Sequence, residues 1–106
     1  MVKNGMRPIH PGEILLEDFM KGAVSPLNAN TLAKALEVPA NRITAIIKGQ
    51  RGITGDTAVR LAAFFNTTAE FWMNLQKVYE LRLAERTFPE RAKRHIAQNR
   101  HTLVSA

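Results

Sequence analysis

No cysteine occurs among the 106 residues, and its absence removes a disulfide framework, a thiolate zinc site and a cysteine nucleophile together. No apolar run approaches the roughly 20 residues that a membrane span requires. The amino-terminal stretch Met1-Val-Lys-Asn-Gly-Met also lacks the apolar segment of a signal peptide, so the chain is expected in the cytoplasm, away from membranes. Strand signals are scarce: no segment alternates apolar and polar residues for long, and no Asn-Gly or Asp-Gly pair sits between two β-rich runs. A His-Glu-x-x-His pair and a Gly-rich phosphate loop are both missing, which leaves metallopeptidase and nucleotide chemistry without their residues. His95 and His101 stand in a basic segment with no carboxylate arrangement beside them, so neither a metal nor a cofactor is expected. Glu13 and Glu17 share a helix face, but carboxylates near a helix start are ordinary charge placement. No enzyme chemistry is expected.

What is present is the composition of one small globular domain, with 45% hydrophobic and 23% charged residues in a length that suits a single core. Fifteen Lys and Arg against nine Asp and Glu give +6, a balance that fits a polyanionic partner. The excess is unevenly spread. Residues 1–85 carry ten basic and eight acidic residues, a net of +2, whereas residues 86–106 carry five and one, a net of +4. Most of the excess is therefore a tail, and a nucleic-acid site in the folded part needs its own local evidence.

Helix signals recur about every dozen residues, which predicts an all-α fold of five helices followed by a basic tail. In Ile9-His10-Pro11-Gly12-Glu13-Ile14, His10 is the expected cap, Pro11 suits the first helical position, and Ile9 can staple to Ile14. Ile14, Leu15, Phe19 and Met20 then form an inward stripe. Asn28 caps a short second helix ending near Leu36. The third starts after Pro39 and ends before Gly49; Ile43, Ile46 and Ile47 face inward at i, i+3, i+4, while Asn41, Thr44, Ala45 and Lys48 fall on another side. Thr54 caps the fourth helix, with Ala58, Leu61, Ala62 and Phe65 as its core stripe. Thr67-Thr68-Ala69-Glu70 reads as a capping box that opens the longest helix. Phe64, Phe65, Phe71 and Trp72 fall at helical spacing and are expected in the core rather than as a stacking platform. Beyond Pro89, Arg91-Ala92-Lys93-Arg94-His95-Ile96 suits a basic helix that is only marginal alone.

The second and third helices, joined over 33–38, meet the requirement of a helix-turn-helix: a short capped helix, a turn of about four residues, then a helix with an aliphatic inner face and a small polar outer face. The outer face must be small, because the major groove is only about 12 Å wide. One such domain reads one half-site, and half-sites lie about 34 Å apart, so a two-fold dimer is expected. Its seam is expected on the fifth helix, at about 68–86, through Trp72, Leu75, Val78, Tyr79 and Leu83, a stripe wider than one small core should need.

Leu32-Ala33-Lys34-Ala35-Leu36-Glu37-Val38 followed by Arg42-Ile43-Thr44-Ala45-Ile46-Ile47-Lys48-Gly49 resembles the Cro and lambda-repressor (XRE) type of helix-turn-helix. Arg7-Pro8-Ile9-His10-Pro11-Gly12-Glu13-Ile14-Leu15, Gly52-Ile53-Thr54-Gly55-Asp56-Thr57-Ala58 and Glu70-Phe71-Trp72-Met73-Asn74-Leu75-Gln76 extend the resemblance to the HigA-type (VapI-like) antitoxins over about residues 6 to 85. It implies a small dimeric repressor that binds its own operator and neutralises a HigB-like toxin, a ribonuclease that cleaves messenger RNA; the alternative is a stand-alone repressor of phage or plasmid type. It also implies base contacts at Ala40, Asn41, Arg42, Thr44 and Ala45, and phosphate contacts at Asn28, Ala29, Asn30, Lys48, Gln50 and Arg51. The DNA-binding domain is then 1–87, with the helix-turn-helix at about 28–48, and 88–106 is the basic tail. A toxin surface away from the recognition helix falls on the first helix and segment 1–17. The chain departs from the family pattern at Ala29, where a glutamine is usual, at Pro39, which replaces a capping Ser or Thr, and at Glu37, which replaces a turn glycine. With Glu37 there, the turn is not expected to use positive φ freely.

Overall fold

The computed structural model describes residues 7–104, and among them the fold is all-helical, with no strand. The elements are α1 (Pro11–Ile14), a π-helical continuation (Leu15–Met20), α2 (Ala29–Leu36), α3 (Ala40–Ile47), α4 (Gly55–Phe65), α5 (Ala69–Thr87) and α6 (Glu90–Leu103). No helix among the described residues is long and apolar enough to cross a membrane.

The His10 cap is present: its Nδ1 accepts the Gly12 N–H at 2.9 Å, and Pro11 occupies the first helical position. The first helix does not continue as an α-helix. It widens to π geometry, which spaces the fully buried Leu15 and Met20 five residues apart on one side and leaves Ile14 and Phe19 only partly covered. Asn28 caps α2 by accepting the Thr31 N–H at 2.8 Å. In α5 the cap is Thr68, whose Oγ1 accepts the Phe71 N–H at 3.0 Å. The capping box expected from Thr67 to Glu70 is therefore not formed: with Thr68 as the cap, Phe71 rather than Glu70 takes the third helical position, and Thr67 Oγ1 instead accepts the indole N–H of Trp72 at 2.8 Å. Thr54 precedes α4 as expected but makes no side-chain cap bond.

The core joins Leu15, Leu32, Leu36, Ile43, Ile46, Ile53, Leu61 and Trp72, all buried, with α2 and α3 drawn close over the buried Ala33. Each large side chain so covered contributes about 1.5–3 kcal/mol. Of the expected aromatic core, Trp72 and the half-buried Phe65 pack with Phe19 at centroid distances of 4.8 and 5.1 Å, whereas Phe64 and Phe71 stay partly exposed at the rim.

The turn between α2 and α3 corrects the expectation for Glu37. Its φ is +60°, in the left-handed region, with Glu37 N–H donating to the Lys34 carbonyl and Val38 N–H to the Ala33 carbonyl at 3.0 Å, the double closure that usually recruits glycine. Arg60 Nη1 clamps it, donating to the carbonyls of Leu36 at 2.8 Å and Glu37 at 3.3 Å. Replacing Glu37 with glycine relieves a left-handed strain of about 1 kcal/mol. Thermal unfolding of Glu37→Gly is therefore expected about 5 °C higher; an unchanged or lower midpoint would mean that the clamp has already absorbed the strain.

From Leu81 onward the chain leaves the core. The end of α5 and all of α6 are exposed apart from the partly covered Ala92. The radius of gyration is 17.9 Å and the long axis 59 Å, against about 13 Å for a compact chain of this length. Among the described residues, α6 is thus a basic helix with no buried side chain.

Candidate nucleic-acid interface

Helix α3 rests on a buried seat of Ile43 and Ile46. Its other side shows Ala40, Asn41 and Lys48 to solvent, with Thr44 and Ala45 half covered, and the surface continues through exposed Gln50 and Arg51. Asn28 and Asn30 stand exposed at the start of α2. Ala29 packs its methyl toward the core, so only its backbone N–H is left for an anion. Thr44 Oγ1 donates to the Ala40 carbonyl at 3.2 Å, which turns the hydroxyl along the helix and leaves its lone pairs and methyl for an outside partner.

Arg42 is placed differently from its neighbours. Its Nη1 donates to Asp56 Oδ2 at 2.7 Å, and Arg60 Nε meets the same oxygen at 3.1 Å. Arg42 Nε is buried with no hydrogen-bond partner, and only 23% of the side chain is exposed. Hydrogen bonds from Arg42 and then Arg60 hold the Asp56 carboxyl below the ordinary carboxylate range. Arg42 thus fastens α3 to α4, and any base contact by it must use donors that Asp56 leaves over.

Two polar residues lock the far end of α3. The His10 ring stands 3.9 Å from where a Cβ on Gly49 would lie, and it packs edge-on to Tyr79 of α5, with ring centroids 4.8 Å apart. Burial pushes its imidazole below the ordinary value, more than the Glu13 charge and the Arg51 backbone raise it. Gln76 is buried; its Oε1 accepts the Ile53 N–H at 2.8 Å while its Nε2 donates to Glu80 at 2.7 Å. Gly52 makes room for that side chain, since a Cβ there would come within 2.7 Å of it.

The residues of the expected seam separate. Trp72 is corrected: it is wholly buried within the chain, wedged among Phe19, Phe65 and Phe71, and offers no surface to a second chain. Leu75, Val78 and Tyr79 line an apolar groove of about 330 Å³ with Pro8, Ile9, Ile14 and Phe71. Leu83 lies on the Trp72 side of α5 but beyond the end of the core, and stands 42% exposed. Among the described residues no group of three His, Cys, Asp or Glu could hold a metal.

A helix-turn-helix family model matches residues 27–72. The chain is 51% identical over 83 residues to virulence-associated protein I of Dichelobacter nodosus, across 78% of this chain and 75% of that one. Among solved structures, PA4674 of Pseudomonas aeruginosa in complex with its operator DNA is similar with a TM-score of 0.78 and 43% identity, across 86% of this chain and 94% of that one. An addiction module antidote protein of a HigA family from Coxiella burnetii gives 0.70 and 46%, across 95% and 99%. The chain belongs to the HigA-type antitoxin family of helix-turn-helix proteins.

That family is one of DNA-binding antitoxins and regulators rather than enzymes. The segments that carry the HigA resemblance, His10-Pro-Gly-Glu and Phe71-Trp-Met-Asn-Leu-Gln76, have a structural reason: Gly12 and His10 pack at the carboxyl end of α3, Gln76 holds the Ile53 N–H beyond it, and Trp72 fills the core. Sequence reasoning missed Gln76, Asp56 and Arg60 as part of this site. The signal for Gln76 was a lone amide in the inner stripe of α5. For Asp56 and Arg60 it was an i, i+4 acid–base pair, although nothing local tied that pair to Arg42.

Proposed function

We propose that this protein is the antitoxin of a type II toxin–antitoxin pair, acting in the cytoplasm: as a homodimer it binds operator DNA and represses its own operon, and it neutralises a HigB-like ribonuclease toxin that cleaves messenger RNA. The observation that carries the DNA half is the small polar face of α3 on a fixed seat, in a chain 43% identical to a protein solved on its operator. Asn41, Thr44, the Arg42 donors that Asp56 leaves over and the flanking alanines Ala40 and Ala45 meet base edges. Asn28, Asn30, the Ala29 backbone, Lys48, Gln50 and Arg51 meet phosphates, and 1–87 is the DNA-binding unit to which 88–106 adds charge. Two chains are needed for two half-sites, and Leu75, Val78, Tyr79 and Leu83 are apolar surface suited to joining them. The toxin surface is assigned to the first helix and segment 1–17, of which residues 1–6 lie outside the described residues.

Co-purification with the product of the adjacent gene, followed by a shift assay on the upstream promoter, tests both halves. Promoter binding without a complex, and without rescue of growth on co-expression, would leave a stand-alone repressor. Within the DNA half, Arg42→Ala is expected to weaken operator binding by about 1–3 kcal/mol and relax the preferred sequence, whereas Arg51→Ala weakens operator and random DNA alike and lowers the salt slope by about 1. Equal loss on all sequences for Arg42→Ala would return that residue to its Asp56 pairing alone.

A further inference from the structure

Loop 48–51 carries three of the proposed phosphate contacts, yet among the described residues none of its side chains makes a hydrogen bond or ion pair to the core. Gly49 takes a φ of +74°, and the loop's backbone is tied back to α3 by Gly49 N–H to the Ile46 carbonyl at 3.0 Å and Gln50 N–H to the Ala45 carbonyl at 2.8 Å. What stands on its inner side is His10. Its Nδ1 accepts the Gly12 N–H and therefore carries no proton, its Cγ and Cδ2 stand 3.9 Å from where a Gly49 Cβ would lie, and Tyr79 packs on it from α5. One neutral imidazole thus joins the start of α1, the end of the recognition helix and α5.

We propose that neutral His10 is the positioning residue of the DNA-facing loop 48–51, so that protonating this one ring uncouples the loop from α1 and α5 and weakens operator binding. The inference rests on the DNA reading above. A second proton on the ring would turn the Nδ1 acceptor into a donor aimed at the Gly12 N–H, two donors face to face. The groups facing the ring are Glu13 on its own helix, itself paired with Arg7 at 2.8 Å, Tyr79 on α5 and the Arg51 backbone on the loop. Glu13 and Arg51 favour the charged ring, and burial outweighs them. The sign follows. A buried histidine shifted downward supports the ordered loop above its ordinary range, near pH 6.5, and loses that support as the pH falls through its folded value.

The test is operator affinity of the full chain between about pH 7.5 and about pH 5.5, with thermal unfolding followed at each pH. The expected result is a loss approaching about tenfold per pH unit at the acid end. His10→Asn, which keeps a capping acceptor but cannot titrate, is expected to bind equally at both limits. The decisive measurement needs no variant. If DNA requires the neutral ring, operator binding must lower the pH at which His10 titrates by NMR, by linkage. A histidine that merely lies near phosphate is shifted upward by the anionic field. An upward or absent shift for His10, or an acid loss that persists in His10→Asn, overturns the proposal while leaving the DNA reading intact. Failure of the unmodified protein to bind the promoter at neutral pH overturns both.

Discussion

Gly12→Ala should lower the stability of this protein by about 3 kcal/mol or more and abolish operator binding in the same step. Gly12 sits where α1 crosses the carboxyl end of α3, and a Cβ there would stand 1.9 Å from the Ile46 carbonyl oxygen and 2.7 Å from its carbon. Neither atom belongs to a flexible side chain. That carbonyl also accepts the Gly49 N–H that shapes the loop beyond α3, so the added methyl must push α1 away from the recognition helix. The thermal midpoint should fall by more than about 10 °C. Gly55→Ala is the control: nothing lies within 4 Å of its position, and the loss of backbone freedom in the unfolded chain predicts no change or a gain of up to about 1 kcal/mol. Equal behaviour of the two variants would mean that α1 and α3 are not held at the separation described.

The second large effect is expected at Trp72. Truncation to alanine empties the largest buried side chain, removes its contacts with Phe19, Phe65 and Phe71, and leaves Thr67 Oγ1 without the indole N–H. Such changes cost about 3–5 kcal/mol, a large share of the 5–15 kcal/mol that holds an ordinary domain together. The loss should appear in unfolding of the protomer. Leu83→Ala should do the reverse. Leu83 is exposed in the protomer, so its truncation should leave protomer stability within about 0.5 kcal/mol and, if it lies in the seam, shift sedimentation toward a single chain. If Trp72→Ala instead gave a folded monomer, the assignment of Trp72 to the core would be wrong.

These two residues show where sequence periodicity stops being informative. Trp72, Gln76, Tyr79 and Leu83 share one face of α5 and look alike as a stripe. Only the end of the core, reached before Leu81, separates the buried Trp72 from the exposed Leu83. A helix face reports which residues point the same way; it does not report where the neighbouring helices stop. Glu37 makes a similar point. The absence of glycine argued against positive φ, but the clamp from Arg60, more than twenty residues away in sequence, helps to hold the left-handed turn. The π-helical widening at Leu15–Met20 left no local mark either, since inward residues spaced by five can be read as a ragged α-helical stripe.

The sequence by itself determined the helical class, the Asn28 and His10 caps, the aliphatic seat of α3 and its small polar face, because caps and periodicity are local and are written in neighbouring residues. The lack of cysteine, of long apolar runs and of alternating strands had already narrowed the chain to such a fold. Tertiary structure alone decided that Arg42 is shared with Asp56, that Gln76 and His10 hold the loops around the recognition helix, and that α6 stands free of its own core. Each of these depends on which residues distant in sequence come within hydrogen-bonding or packing distance, and that is fixed only when the helices have packed.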